Sequence, residues 1–427
     1  MRRGDLLIQN GRIVRIGPQK HVPGARELDA TGLLLMPGFV QTHIHLCQTL
    51  FRNLANDLEL LDWLERRIWP LESAHTPASL AASARLGLLE LIKSGTTAIQ
   101  DMGSVYHTEV ILNEVVRSGL RASVGVTFMD TGERVPPGLK RPFEESLAYS
   151  LELIATWHGR QEDRIRINLA PRFALSCSEK SLVAIGEAAR QRGVAVHTHA
   201  SENRKEVEIV RRNQGMGNVA YYHQVGLTGD NLTLAHCIWL DDEEVEILAE
   251  TGTGVLHCPS SNLKLGSGIA DIPRYLERGV LCSLGADGAP CNNNLSAFTE
   301  MRLAGLIQKP LHGPAALPAR KIVEMATLDG ARALHWDDQI GTLEEGKRAD
   351  LILLDLNQAH SAPDLFDRWS DPYAAVVYAA RPANVKTVIV NGRILMENGK
   401  VLTIDEEETL AVARKELQRL LQRAQLR

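Results

Sequence analysis

His43 and His45 stand two residues apart in PGFVQTHIHLCQ (37–48). Alternate residues of a strand project to one face, so both imidazoles can grip a single ion. Three more groups invite the same reading. They are His199 in VAVHTHASE (194–202), His236 in LTLAHC (232–237) and Asp287 in LGADGAP (284–290), each at the end of a short apolar run. Imidazole and carboxylate donors suit zinc, iron or manganese. Such an ion lowers the pKa of bound water from about 15.7 to about 7, which makes a nucleophile at neutral pH. A lone HxH pair is a weak signal, and a lone strand-end histidine is more often a satisfied polar residue. The conjunction is what points to a metal-dependent hydrolase.

The elements that must position these groups form an alternating pattern. Apolar runs at 38–45, 96–101, 122–128, 165–170, 194–199, 232–236, 254–257 and 281–287 read as strands. Between them, segments such as 79–93, 107–118, 143–157, 179–192 and 241–250 carry helical periodicity. Eight strand–helix units predict an α/β protein with a (β/α)8 TIM barrel, whose chemistry sits at the C-terminal ends of the strands. His43 and His45 then end the first strand, His199 the fifth, His236 the sixth and Asp287 the eighth. Outside this core, 5–16 and 384–397 each alternate apolar and polar residues around an Asn-Gly pair, a hairpin signal, and 348–355 reads as a further strand. The two chain ends are therefore expected to build one small flanking β-sandwich domain. The expected division is 1–36 with 345–427 for that composite domain and 37–344 for the barrel. A charged amphipathic stretch at about 405–425 predicts a solvated C-terminal helix, and the Pro-rich 131–142 predicts a loop.

Composition narrows the function classes. The 427 residues are 44% hydrophobic and 23% charged, ordinary for a globular chain. A net charge of −5 without a basic run argues against nucleic acid or an anionic membrane as partner. No apolar stretch approaches the roughly 20 residues that span a bilayer. The start, Met1-Arg2-Arg3-Gly4-Asp5-Leu6, has no apolar run behind its arginines and does not read as a signal peptide. Six cysteines without CxxC spacing read as reduced thiols, so the cytoplasm is the expected location. Cys237 and Cys258 are expected to be inert and buried.

Longer motifs carry a resemblance. PGFVQTHIH (37–45), HTHASE (197–202), LAHC (234–237), HCPSSNLKLGSGIA (257–270), GADGAPCNNN (285–294) and RADLILLDL (348–356) resemble the amidohydrolase superfamily. The branch they look most like holds the methylthioadenosine/S-adenosylhomocysteine deaminases, with guanine deaminases and s-triazine hydrolases as relatives. The resemblance implies His43, His45, His199 and Asp287 as metal ligands. It implies Glu202 as the catalytic acid/base, and His236 as a group acting on water and substrate. The relatives with two metals carry a lysine ending strand four; here that strand ends Leu169-Ala170-Pro171-Arg172. One divalent ion is therefore expected, zinc first, with iron or manganese also accepted. The implied reaction is hydrolytic removal of an exocyclic amino group as ammonia. A metal-bound hydroxide attacks the ring carbon, Asp287 takes the water proton, and Glu202 protonates the ring nitrogen and then the departing amine. His197 reads as a packed core histidine, and His257 as pocket lining or structure. Dimers are common in the family, so the resemblance adds a homodimer to the expected partners, beside the small-molecule heterocycle.

Substrate expectations rest on fewer residues. Trp63 and Glu72 in LLDWLERRIWPLE (60–72) match pocket positions of the nucleoside deaminases, where the glutamate holds ribose hydroxyls. A carboxylate suits a vicinal diol because it offers two acceptor oxygens. Gln48, Arg172 and Phe173 instead resemble guanine deaminase positions that contact the purine. Relatives that bind a homocysteine carboxylate use arginines from strand three and the loop after it. Residues 124–128 contain no arginine, which leaves Arg134, Lys140 and Arg141 in the next loop as candidates. The ranking is a 5′-modified adenosine such as methylthioadenosine or deoxyadenosine first, guanine or a pterin second, and a chloro- or amino-s-triazine third. The non-enzymatic alternative is a silent ligand-binding relative, against which the intact set of six site residues argues.

Overall fold

The computed structural model describes residues 4–18, 22–363, 370–424 and 426; the Met1-Arg2-Arg3 start and Gln425 of the expected C-terminal helix lie outside them. The chain opens with an antiparallel hairpin, β1 (Leu6–Gln9) and β2 (Arg12–Ile16). Its turn holds Asn10 and Gly11 at φ 51° and 75°. Positive φ at both central residues gives the turn a twist that matches the strands, which is why Asn-Gly marks it. After β3 (Leu34–Pro37) come eight strands that pair in parallel, each with the next in the sequence. They are β4 (Phe39–Ile44), β5 (Thr96–Ser104), β6 (Arg121–Phe128), β7 (Ile165–Pro171), β8 (Val196–Ala200), β9 (Leu232–His236), β10 (Gly254–His257) and β11 (Cys282–Leu284).

The last strand returns to the first, as the (β/α)8 expectation requires. Thr42 Oγ1 lies 2.8 Å from Ser283 Oγ, and Asp287 N donates to His43 O at 2.9 Å. The approach is close: a Cβ on Gly285 would stand 2.7 Å from His43 N, so this position has room only for glycine. The eighth strand is shorter than expected. It ends at Leu284, and Asp287 follows in an isolated bridge to Ile44. The apolar run LCSLGA continues past the last ladder hydrogen bonds, so hydropathy alone overstated it.

The remaining strands are β12 (Leu351–Leu354), β13 (Val385–Val390), β14 (Arg393–Glu397) and β15 (Lys400–Val401). With β3 they form a five-stranded antiparallel sheet in the order β15-β14-β13-β12-β3. The N-terminal hairpin packs on it through Ile8 and Ile13 against Leu351 and Ile389. Both chain ends thus meet in one unequal β-sandwich. The helix Glu406–Ala424 is not fully solvated. Its Thr409, Ala413, Leu420 and Ala424 are buried, the last three in the cluster that also holds Trp63 and Leu71. Their helical spacing makes one buried stripe, which Glu416 joins with its carboxylate accepting from Arg419, while most charged residues keep the opposite face in water. The Pro-rich stretch 131–142 is a loop with one short turn, Pro137–Leu139.

One buried ion pair ties the β-sandwich to the barrel floor. Arg121, on β6, donates from Nε to Asp350 Oδ2 at 2.8 Å and from Nη2 to Asp350 Oδ1 at 3.3 Å, with both side chains at most 1% exposed. Asp350 also accepts from Asn391 N at 2.7 Å, next to the β13–β14 turn. Removing one partner strands the other charge without water. Asp350→Asn is expected to cost about 3–5 kcal/mol, whereas the paired apolar change Arg121→Met with Asp350→Leu costs less than the sum of the single changes. Denaturant unfolding of the single and double variants checks this.

Candidate metal centre and substrate pocket

The strand ends bring His43, His45, His199, His236, Glu202 and Asp287 together, all but His199 fully buried. Asp287 Oδ1 stands 3.3 Å from both His43 Nε2 and His45 Nε2, and His45 Nε2 stands 3.3 Å from His199 Nε2. His236 Nε2 lies 3.4 Å from Glu202 Oε2 and 3.8 Å from Asp287 Oδ2. The backbone turns sharply here. Ser201, His236 and Asp287 have φ of 50°, 74° and 61°, a left-handed conformation that non-glycine residues hold only where the surroundings impose it.

The outer ring nitrogens decide what the inner ones offer. His199 Nδ1 donates to Arg172 O at 2.5 Å, so its Nε2 keeps a lone pair. His236 Nδ1 is 2.8 Å from Asn262 Oδ1, which leaves Nε2 as the acceptor. His43 Nδ1 meets His197 Nε2 at 2.7 Å. His43 Nε2 and His236 Nε2 are buried with no hydrogen-bond partner. Ligand atoms of His43, His45 and Asp287 fall within 4.8 Å of one another, as do those of His43, His199 and His236. Orphaned nitrogens facing an ionised carboxylate are the donor set of a divalent cation, and the residues present fit one.

Burial sets the protonation states. It pushes His45 and His199 well below the ordinary histidine range and His236 down to about 4, so these rings are neutral at pH 7. Burial works to raise Asp287 as well, but the facing rings of His43, His45 and His236 outweigh it and hold the carboxyl well below its usual range. Glu202 goes the opposite way. Burial lifts it well above an ordinary glutamate, and the neighbouring charges of Asp287 and Glu206 add to the effect. Two adjacent carboxyls are thereby pushed in opposite directions.

The other expected pocket residues gather around this cluster. Gln48, Trp63, Arg172, Phe173 and Glu202 line one cavity with His45, His199, His236 and Asp287. Glu72 stands behind it. Arg172 donates to Glu72 at 2.5 and 3.2 Å, and Gln48 Nε2 donates to Glu72 Oε1 at 2.8 Å. Arg134 instead pairs with Glu65 at 2.8 Å on the surface, and Arg141 stacks 5.3 Å from the centre of the Tyr106 ring. His197 is the packed, hydrogen-bonded histidine expected. His257 is buried, but neither ring nitrogen has a partner and it lines neither cavity. All six cysteines are free and buried, and burial pushes Cys237 and Cys258 well above the ordinary thiol range.

Sequence reasoning passed over the groups that orient the site. Asn262 sits 26 residues from His236, a separation without any signal. Glu206 was more accessible, because Asn203-Arg204-Lys205-Glu206 has the spacing of a capping box. Its Oε2 accepts from Glu202 N at 2.9 Å and from Asn203 N at 3.4 Å, and Asn218 Nδ2 also donates to this carboxylate. Burial raises Glu206 from 4.5 to about 7. A raised carboxyl favours folding fully below its unfolded pKa, and that contribution is lost as pH climbs from about 4.5 through 7. The full change corresponds to about 3 kcal/mol. Glu206→Gln is therefore expected to be more stable relative to the parent at pH 8 than at pH 5, by up to that amount. Chemical denaturation at the two pH values reads it.

Comparison with known proteins agrees with the geometry. The Amidohydrolase family profile matches residues 34–395. The chain is 40% identical over 420 residues to a 5-methylthioadenosine/S-adenosylhomocysteine deaminase of Moorella thermoacetica, covering 97% of this chain and 95% of that one. It is also 40% identical over 416 residues to a 5′-deoxyadenosine deaminase of Methanothermobacter thermautotrophicus, covering 97% and 94%. The crystal structure of a Xanthomonas campestris adenosine deaminase with bound zinc superposes with a TM-score of 0.90 at 30% identity, covering 98% of this chain and 93% of that one. Fold, cluster and sequence agree: the chain belongs to the amidohydrolase family.

Proposed function

We propose that this chain is a metal-dependent aminohydrolase that removes the exocyclic amino group of a 5′-modified adenosine and releases ammonia. The observation that carries the reading is the convergence of two carboxyls on the orphaned imidazoles. Glu202 and Asp287 both adjoin His236, at 3.4 and 3.8 Å. The names of the relatives supply the substrate class.

His43, His45, His199 and Asp287 would hold the ion, zinc first, since nitrogen and carboxylate donors suit it and also accept iron or manganese. When bound, the ion supplies Lewis acidity that brings a water molecule's pKa down to about 7. The chain's own groups do the rest. Asp287, ionised, takes the proton of the attacking water. His236 accepts a hydrogen bond at Nε2 and orients that water. Glu202, neutral, protonates the ring nitrogen beside the amino-bearing carbon as aromaticity is lost. The proton held by Asp287 then passes to the leaving amine, and Glu202 recovers a proton from the added hydroxyl as the C–N bond breaks and the carbonyl forms. Trp63 and Phe173 pack the heterocycle. Glu72, held by Arg172 and Gln48, accepts from sugar hydroxyls. Six buried free thiols fit a reducing cytoplasm.

A free purine base such as guanine is the second reading. It is favoured by Gln48 Oε1, a buried acceptor without a partner in the same cavity, which suits a ring N–H or amino group. A panel of adenosine derivatives, guanine and aminotriazines, scored by ammonia release, separates the readings. The purified chain is expected to hold about one divalent ion, and His199→Ala to lose most of it by elemental analysis. Glu202→Gln is expected to keep the metal while kcat falls by about 10²–10⁴. Near-full turnover of that variant would remove the acid/base assignment.

A further inference from the structure

A second chamber opens beside the first. It shares His45 and Arg172 with the cavity over Asp287 and encloses about 580 Å³ including its mouth. Glu72 stands in its wall, and beyond Glu72 it runs past Ser73, Val105, Leu139 and Gly138 to Tyr106. On the deaminase reading, a nucleoside with its ring in the first cavity and its sugar at Glu72 would have this chamber beside its sugar.

Among the described residues, none that lines the chamber offers a free positive charge. Arg172 is already committed to Glu72 through two hydrogen bonds. His75 is half-buried, donates from Nε2 to Cys47 O at 2.7 Å, and the loss of water around it brings it down to about 4, so it is neutral. His45 is turned to Asp287 and His199. His107, at the mouth, lies 3.8 Å from the Glu109 carboxylate. The loop cations are elsewhere. Arg141 is the nearest of them: it packs behind the wall, against the Tyr106 and Tyr149 rings, donates to Val105 O and does not itself line the chamber, while Arg134 is bonded to Glu65 and Lys140 is not in the chamber wall.

Resting on the deaminase reading above, we infer that this chamber is a 5′-substituent subsite that selects small uncharged groups and rejects an amino-acid tail. The physical reason is desolvation. A methyl or methylthio group gains from contact with Val105, Leu139 and Tyr106. A zwitterionic tail brings a carboxylate and an ammonium, and a carboxylate that leaves water here finds no cation to replace its hydration. The wall residues thus decide which adenosine derivative is processed, while the residues around Asp287 do not discriminate.

The test compares kcat/KM for 5′-deoxyadenosine, methylthioadenosine and S-adenosylhomocysteine with the metal-loaded full chain. The first two are expected to exceed the third by about 100-fold or more. Ser104→Arg places a cation in the chamber wall and is expected to narrow the ratio by about tenfold, with a thermal unfolding transition confirming that the variant folds. S-adenosylhomocysteine turned over within tenfold of the small substrates would overturn the inference and leave the deaminase reading intact. An unchanged ratio in folded Ser104→Arg would overturn it equally. Ammonia from guanine but from none of the three nucleosides would instead sink the deaminase reading and the inference with it.

Discussion

At the mouth of the barrel the protein places imidazole nitrogens out of reach of water and gives some of them no partner. His43 Nε2 and His236 Nε2 have no acceptor or donor of their own, and Asp287 is the anion they face. Unpaired buried polar groups cost free energy, and a fold retains them where something else completes them. A divalent cation is the simplest completion, since it accepts every lone pair at once and neutralises the carboxylate. The outer ring nitrogens are held by Arg172 O, Asn262 and His197, so the inner lone pairs are set before any ligand arrives. Second-layer hydrogen bonds of this type fix ring orientation and tautomer together.

The rest of the architecture serves that convergence. Parallel strands end on one rim, and in this fold that brings residues 43, 199, 236 and 287 to one point. Gly285 lets the last strand close on the first beside His43. The left-handed turns at Ser201, His236 and Asp287 aim side chains into the mouth instead of along the ladder. At the opposite end, the Arg121–Asp350 pair anchors the two-sheet β-domain to the barrel floor, far from the chemistry.

Charge also divides the mouth into compartments. Arg172 serves twice: its carbonyl fixes His199, and its guanidinium clamps Glu72. That clamp separates a polar reaction cavity from a second chamber with apolar and small residues in its wall. The carboxyls are sorted in the same way. Glu202 sits in a dry place among like charges, which push it up, whereas Asp287 sits among imidazoles, which hold it down. One kind of side chain thus performs two different tasks because of where the fold puts it.

Much of this was legible in the chain. Hydropathic alternation marked eight barrel strands to within a few residues. Asn10-Gly11 and Asn391-Gly392 marked both hairpins, because Asn and Gly tolerate the positive φ angles that both turns hold. His43, His45, His199, His236, Asp287 and Glu202 stood out because strand ends and motif spacing are local properties. Other features were hidden. The end of the eighth strand at Leu284 depends on ladder hydrogen bonds, which apolar runs do not encode. The buried stripe of the C-terminal helix, Asn262 behind His236, and the Arg172–Glu72–Gln48 cluster all depend on partners far away in the sequence. By itself the sequence determined which residue types could bind a metal and move protons. Only the tertiary structure decided which nitrogens stay unpartnered, which carboxyl is pushed up and which is held down, and which of the described residues line the second chamber. Those properties depend on burial and on distances across the barrel, and neither is a property of neighbouring residues.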